Sequence, residues 1–186
     1  MIFVTVGSSE PFDRLVHAVD EWAEQRGRTD VFAQIGRSNY QPKHIECSQF
    51  LGPSEFRERF DAAEFVVAHA GMGSIITALE IGKTMVVMPR RAHLGETRSD
   101  HQVATADRFG QQGHVLVAMD EHALSNKLDE AQTVLTTNQV GPTASPLLIS
   151  TIRNFIENPA ALDLETRKQG AIASFIRKIG KNPPLK

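Results

Sequence analysis

The sequence predicts an α/β fold: a doubly wound parallel sheet with helices on both faces and further helices towards the C-terminus. Three observations carry that expectation. Residues 2–7, 30–36, 65–70, 84–89 and 114–119 are short runs of almost unbroken apolar and β-branched character, which is how parallel strands buried on both faces look. The segments between them, 11–25, 54–63, 74–81, 100–112 and 121–135, carry apolar residues at helical spacing, so strand and helix alternate as in repeated βα units. A glycine-rich turn, His69-Ala70-Gly71-Met72-Gly73-Ser74, joins one strand directly to a helix.

The first strand, Ile2-Phe3-Val4-Thr5-Val6-Gly7, begins at once and lacks the charged n-region and long apolar core of a signal peptide. Pro11 opens a helix on which Phe12, Leu15, Val16, Val19 and Trp22 share a face. A shorter candidate strand, 46–51, precedes Gly52-Pro53 and the N-cap residue Ser54; its place in the sheet is left open. Residues 136–146, rich in Thr, Pro and other turn formers, read as a loop leaving the sheet. Helices over 147–157 and about 163–179 follow. The latter sets Leu164, Ile172, Phe175 and Ile179 opposite Arg167, Lys168, Arg177 and Lys178, a stripe that suits its own core, a partner, a second copy or a membrane surface. The expected organisation is a core domain over 1–135, a loop over 136–146 and a helical appendage over 147–186.

Composition narrows the function classes. With 41% apolar and 23% charged residues over 186 positions, the chain is an ordinary globular protein able to bury a sizeable core. A net charge of -2 gives no field that would gather nucleic acid. The lone Cys47 forms no intrachain disulfide and belongs to no metal-ligand cluster, which favours a reducing, cytoplasmic setting. No apolar run approaches the ~18 residues that span a bilayer.

The chemistry concentrates where strands end, the ligand-binding edge of such sheets. In the turn at 69–74, two glycines let backbone amides approach an anion and Ser74 adds a hydroxyl at a helix start, a phosphate cradle or a purely structural tight turn. The spacing is neither a P-loop nor G-x-G-x-x-G. Gly7, Ser8 and Ser9 offer donors from a facing wall, or cap the next helix. His69 donates to phosphate or closes its strand. The stretch 93–102, with Glu96, His101 and Gln102, is rich in groups that recognise hydroxyls, although Gln102 would serve equally as decoration of a helix start. Arg90-Arg91 reads as a neutraliser of a diphosphate or acidic sugar, or as a solvated pair. His93 and His101 lack the carboxylate partners of a metal site, and no serine elbow marks a nucleophile.

Taken together, 69–76, Gly82-Lys83, Val86-Val87-Met88-Pro89, Asp100-His101-Gln102 and Ala104 resemble the carboxy-terminal, donor-binding half of family 28 glycosyltransferases. The opening Phe3-Val4-Thr5-Val6-Gly7 and Pro11-Phe12-Asp13-Arg14-Leu15 resemble its small split members, which include the catalytic subunit of the dolichol-pathway N-acetylglucosamine transferase and bacterial exopolysaccharide subunits; Pro89-Arg90-Arg91 and Leu94-Gly95-Glu96 look closer to the bacterial branch. The resemblance covers about residues 1–120. It implies a Rossmann-like half of a GT-B fold and an inverting, metal-independent transfer of a hexose from a UDP-sugar to a lipid-linked saccharide, with no cofactor beyond that substrate. By the same resemblance Gly7, Ser8, His69, Gly71, Met72, Gly73 and Ser74 hold the diphosphate, Phe50 and Leu51 the uracil edge, and Gln102 the donor sugar. Thr77 stands where many relatives carry a ribose-clasping glutamate.

The resemblance further implies that a membrane-anchored partner binds the acceptor, supplies the base and holds this chain peripherally at the inner face of the cell membrane. Self-association stays open. Two readings compete with transfer: a non-catalytic nucleotide-sugar-binding or scaffold subunit that stimulates a separate transferase, and a hydrolase or epimerase of UDP-sugars, for which no carboxylate pair is in evidence.

Overall fold

The computed structural model describes residues 1–134, 143–144 and 146–157; most of the expected loop over 136–146 and the whole expected helix over 163–179 lie outside the described residues. The chain divides into two units, Met1–Val140 and Gly141–Lys186.

The first unit is built on six parallel strands, β1 (Ile2–Thr5), β2 (Val31–Gln34), β3 (Glu46–Ser48), β4 (Val66–His69), β5 (Met85–Met88) and β6 (Leu116–Val117), in the order β3-β2-β1-β4-β5-β6. The chain winds outward from β1 to β3, then crosses to β4 and winds the other way. The switch point between β1 and β4 is where the following loops part to leave a crevice. Register sets Thr5 beside Gln34 on one side and Ala68 on the other, and His69 beside Met88.

Alternation along the strands feeds two cores. Ile2, Val4 and Val6 join Phe12, Leu15, Val16, Val19 and Trp22 from α1 (Asp13–Arg26) and Leu124 and Leu128 from α5 (Glu121–Ala131). Phe3, Val66 and Val87 face Phe60 of α2 (Pro53–Ala62), Ile75, Ala78 and Leu79 of α3 (Met72–Ile81) and Ala106 of α4 (His101–Gln111). The expected apolar face of α1 is thus wholly buried, and Trp22 Nε1 donates to Asp129 of α5 at 2.9 Å.

Several boundaries differ from expectation: α1 begins at Asp13 rather than at Pro11, β3 ends at Ser48 rather than at 51, α5 ends at Ala131 rather than at 135, and three more differ for reasons the contacts make plain. α2 begins at Pro53 with Gly52 as N-cap, not at Ser54, because proline's fixed φ suits the first helical position. α3 begins two residues before Ser74, with Gly71 as its extended N-cap. β6 keeps two of six expected residues, since Val115 and Ala118 are apolar for the sake of the two cores rather than for strand pairing.

In the second unit α6 (Pro146–Glu157) is described; the Ser150 and Thr151 hydroxyls both donate to Leu147 O. Among the described residues no helix is long and apolar enough to cross a membrane.

Candidate functional site

Loops from β1 and β4 converge on one imidazole, and the loop from β2 meets the first of them at Gly7. His69 closes β4 with its ring between two glycines: a Cβ on Gly7 would lie 2.9 Å from His69 Cε1, and one on Gly71 would collide with Nε2. Gly7 has φ +76, a conformation that favours glycine, and a Cβ on Gly36 would stand 2.7 Å from the Gly7 carbonyl oxygen. Burial first, and then the positive charge of Arg90, push the His69 pKa down from 6.5 to about 4, against a hydrogen bond with the Thr5 backbone that works the other way. His69 is therefore neutral at neutral pH, and among the described residues its buried Nδ1 has no hydrogen-bond partner.

The first bond of α3 runs from Ile75 N to Gly71 O at 3.2 Å, so the amides of Met72, Gly73 and Ser74 precede any intrahelical acceptor. No side chain caps this end and no acidic residue occupies its first turn, which leaves the positive end of the helix dipole unneutralised. Around Gly73 the space is open, with nothing within 4 Å of a Cβ. Thr77 Oγ1 donates to Gly73 O at 2.9 Å; its hydrogen is spent inside the helix and the hydroxyl has only acceptor capacity left.

A cavity of 380 Å³ brings together Gly7, Ser8, Leu51, Ser74 and Thr77 of the expected residues and adds Thr5, Gln34, Pro53, Phe56 and Arg57. Ser8 and Ser9 are exposed, and the N-cap of α1 is Phe12 with no side-chain bond, so the expected capping role is overturned. Phe50, 49% exposed, lies outside this lining. Gly7 N donates to Thr5 Oγ1 at 3.3 Å, and that hydroxyl donates to Gln34 Oε1 at 2.9 Å. This relay fixes the Gln34 amide with its NH2 left to donate. The signal for both residues was a polar side chain ending an otherwise apolar strand.

The stretch beyond β5 is organised by its own polar groups. Glu96 accepts from Arg14 Nε at 2.8 Å, Arg14 Nη2 at 2.9 Å and Arg91 N at 2.8 Å, so its carboxylate orders the loop where hydroxyl recognition was expected. Arg14, held ionised first by its bonds to Glu96, also reaches Glu121 at 3.0 Å and Pro89 O at 3.1 Å. Asp100 accepts from Ala92 N, and the buried Gln102 accepts from Arg90 N at 3.2 Å, which orients its amide. His101 is exposed, with Nδ1 2.9 Å from Ser99 Oγ. Neither arginine behaves as expected: Arg90 is buried against backbone carbonyls and Arg91 Nη2 donates to Met119 O, because both are recruited to hold loops.

Sequence reasoning also missed Asp13 and Asp20, two carboxylates seven residues apart on α1. Asp13 accepts from Ser38 Oγ and Asn39 N; Asp20 accepts from Tyr40 OH at 2.7 Å and from the amides of Lys43, His44 and Ile45. They pin the crossover from β2 to β3 beside a second cavity of 490 Å³ lined by Asp13, Arg14, His17, Tyr40 and Glu121 among others. Burial alone would raise the Asp20 pKa, yet the bonds from Lys43, Tyr40 and His44 outweigh it and lower it. Among the described residues no three His, Cys, Asp or Glu gather as metal ligands.

The geometry has counterparts among known proteins. Residues 1–159 match the glycosyltransferase family 28 C-terminal domain. The UDP-N-acetylglucosamine transferase subunit ALG13 of Yarrowia lipolytica is 28% identical over 132 residues, 64% of this chain and 65% of that protein; the human protein of the same name is 29% identical over 124 residues, 61% of this chain and 10% of its own length. The chain thus spans less than two thirds of these curated relatives. Among solved structures, an NMR structure of ALG13 shares the fold at TM-score 0.53 and 21% identity, covering 81% of this chain and 93% of its own, and the kitacinnamycin glycotransferase does so at TM-score 0.54 and 19% identity, covering 72% and 35%. A switch-point crevice lined by the open start of α3, within a family match that spans most of the sequence, assigns this chain to the glycosyltransferase family 28 C-terminal domain family.

Proposed function

We propose that the chain is the donor-binding subunit of an inverting glycosyltransferase that moves a hexose from a UDP-sugar to a lipid-linked saccharide in cell-surface polysaccharide synthesis. One observation carries the reading: the Gly7-Ser8 turn and the uncapped start of α3 face a single cavity. Amides of Met72, Gly73 and Ser74, with the Ser74 hydroxyl, hold the diphosphate and stabilise charge on the β-phosphate as UDP departs. Ser8 donates from the facing wall, and neutral His69 contributes shape and a neutral ring rather than a charge. Leu51, Pro53 and Phe56 supply the apolar wall for the uracil, and Phe50 and Gln102, both outside that lining, are assigned to the uracil edge and the donor sugar by the family resemblance.

The general base and the acceptor site belong to a membrane-anchored partner, which keeps this chain at the cytoplasmic surface. The name of the ALG13 relatives makes UDP-N-acetylglucosamine the first donor to test. Isothermal titration of the chain with UDP, followed by amide chemical-shift mapping, tests the reading. Saturable binding that perturbs Gly7, Ser8, Gly73 and Ser74 supports it; shifts confined to other residues overturn it. Transfer of label from UDP-sugar only when chain and partner are mixed separates a catalytic subunit from a scaffold, for which the partner alone would suffice.

A further inference from the structure

We propose that Arg90 is a positioning residue that clamps the loop leaving β1 over the end of β4 and so sets the geometry of the Gly7-Ser8 anion wall, an inference that rests on the diphosphate reading of that crevice. Arg90 follows β5, and β5 is not a neighbour of β1; β4 lies between them. Two strand spacings separate the two ends, about 10 Å in all. The guanidinium crosses that gap: Nη2 donates to Val6 O at 2.7 Å and to Glu10 O at 2.6 Å, the two shoulders of the loop that carries Gly7 and Ser8. It also lies 5.1 Å over the Phe12 ring at the start of α1, while its own amide donates to Gln102 at the start of α4.

The arrangement is costly in a way that a purely structural contact rarely is. Arg90 is 4% exposed, and among the described residues no carboxylate hydrogen-bonds to it and its buried Nε has no partner. Burial lowers its pKa, with Glu96 and Glu10 opposing only through space. Held by two carbonyls and the Phe12 ring, this buried charge keeps its positive field, which acts on His69. Gly7 lies close against the His69 ring and Gly36, so a displaced loop must alter both contacts. A planar fork with fixed donor directions suits two carbonyls four residues apart; a lysine ammonium is shorter and more strongly hydrated.

The test compares full-length wild type, R90K and R90M by UDP titration and by NMR titration of the His69 ring. Arg90→Met is expected to weaken UDP binding at least tenfold and to move the His69 midpoint upward by about one pH unit, as loss of a neighbouring like charge requires. Arg90→Lys keeps the depressed His69 midpoint and still shifts the Gly7 and Ser8 amides while losing UDP affinity; it serves as the readout should the methionine variant not fold. A lysine variant with wild-type affinity and unshifted Gly7 and Ser8 amides overturns the inference. If wild type itself does not bind UDP, the nucleotide reading fails instead, and the loop shifts alone decide whether Arg90 positions the wall.

Discussion

Gly73→Ala separates what the fold needs at the start of α3 from what a ligand needs there. Gly73 is helical without positive φ, and nothing lies within 4 Å of the position a methyl would occupy, so alanine meets no clash. Removing glycine's freedom in the unfolded chain stabilises by about 0.4–1 kcal/mol, and Tm rises by about 2–4 °C per kcal/mol at this chain length. The same methyl leans towards the helix N-terminus, as every helical Cβ does, and so intrudes where a phosphate must approach the amides of the first turn. Displacing the phosphate from even one charge-assisted amide bond costs about 1.5–3 kcal/mol, a ten- to hundredfold loss of UDP affinity. Differential scanning calorimetry and isothermal titration on the same preparation read both effects. A variant that melts higher and binds UDP as tightly as wild type refutes the reasoning, because the diphosphate then does not lie on this turn.

Three further outcomes are expected. Ser74→Ala should lower UDP affinity by about 1 kcal/mol, more if its partner is a charged oxygen, without moving Tm; unchanged affinity removes Ser74 from the site. The folded His69 binds its proton less tightly than an unfolded histidine of 6.5, so its contribution to stability is complete above that value and is lost as pH falls towards about 4, at up to ~1.4 kcal/mol per pH unit and roughly 3 kcal/mol in total. Denaturant unfolding from pH 7 to 4.5 checks this: His69→Gln should flatten the profile, and equal slopes in the two proteins would discard the buried neutral ring. Asp20→Ala should destabilise by about 3 kcal/mol because buried donors lose a charged acceptor, with Asp20→Asn milder; hydrogen exchange should quicken at Lys43, His44 and Ile45, and protection left intact there would contradict the pinned crossover.

Much of the fold is legible because its signals are local. Runs such as Phe65-Val66-Val67-Ala68 and the spacing of Phe12, Leu15, Val16, Val19 and Trp22 state strand and helix without reference to partners, and the glycine turn at 69–74 marks the switch point. What escaped was set by tertiary contact. Glu96 looks like a ligand-seeking carboxylate until Arg14, 82 residues away, is seen to hold both its oxygens. Arg90 looks solvated until the loop beside β1 folds over it. Thr77 shows its hydroxyl spent on Gly73 O only once the helix exists. Asp13 and Asp20 sit at helical spacing on one face of α1, yet nothing in the spacing says that a distant crossover supplies their donors.

The two rims of the sheet are short: three residues in β3 and two in β6. A foreign strand seeking to zip onto an open ladder finds almost no unpaired backbone to grip, which is how natural sheets blunt their margins. With so little ladder to extend, a search for a companion polypeptide's contact belongs first on the loops and helices.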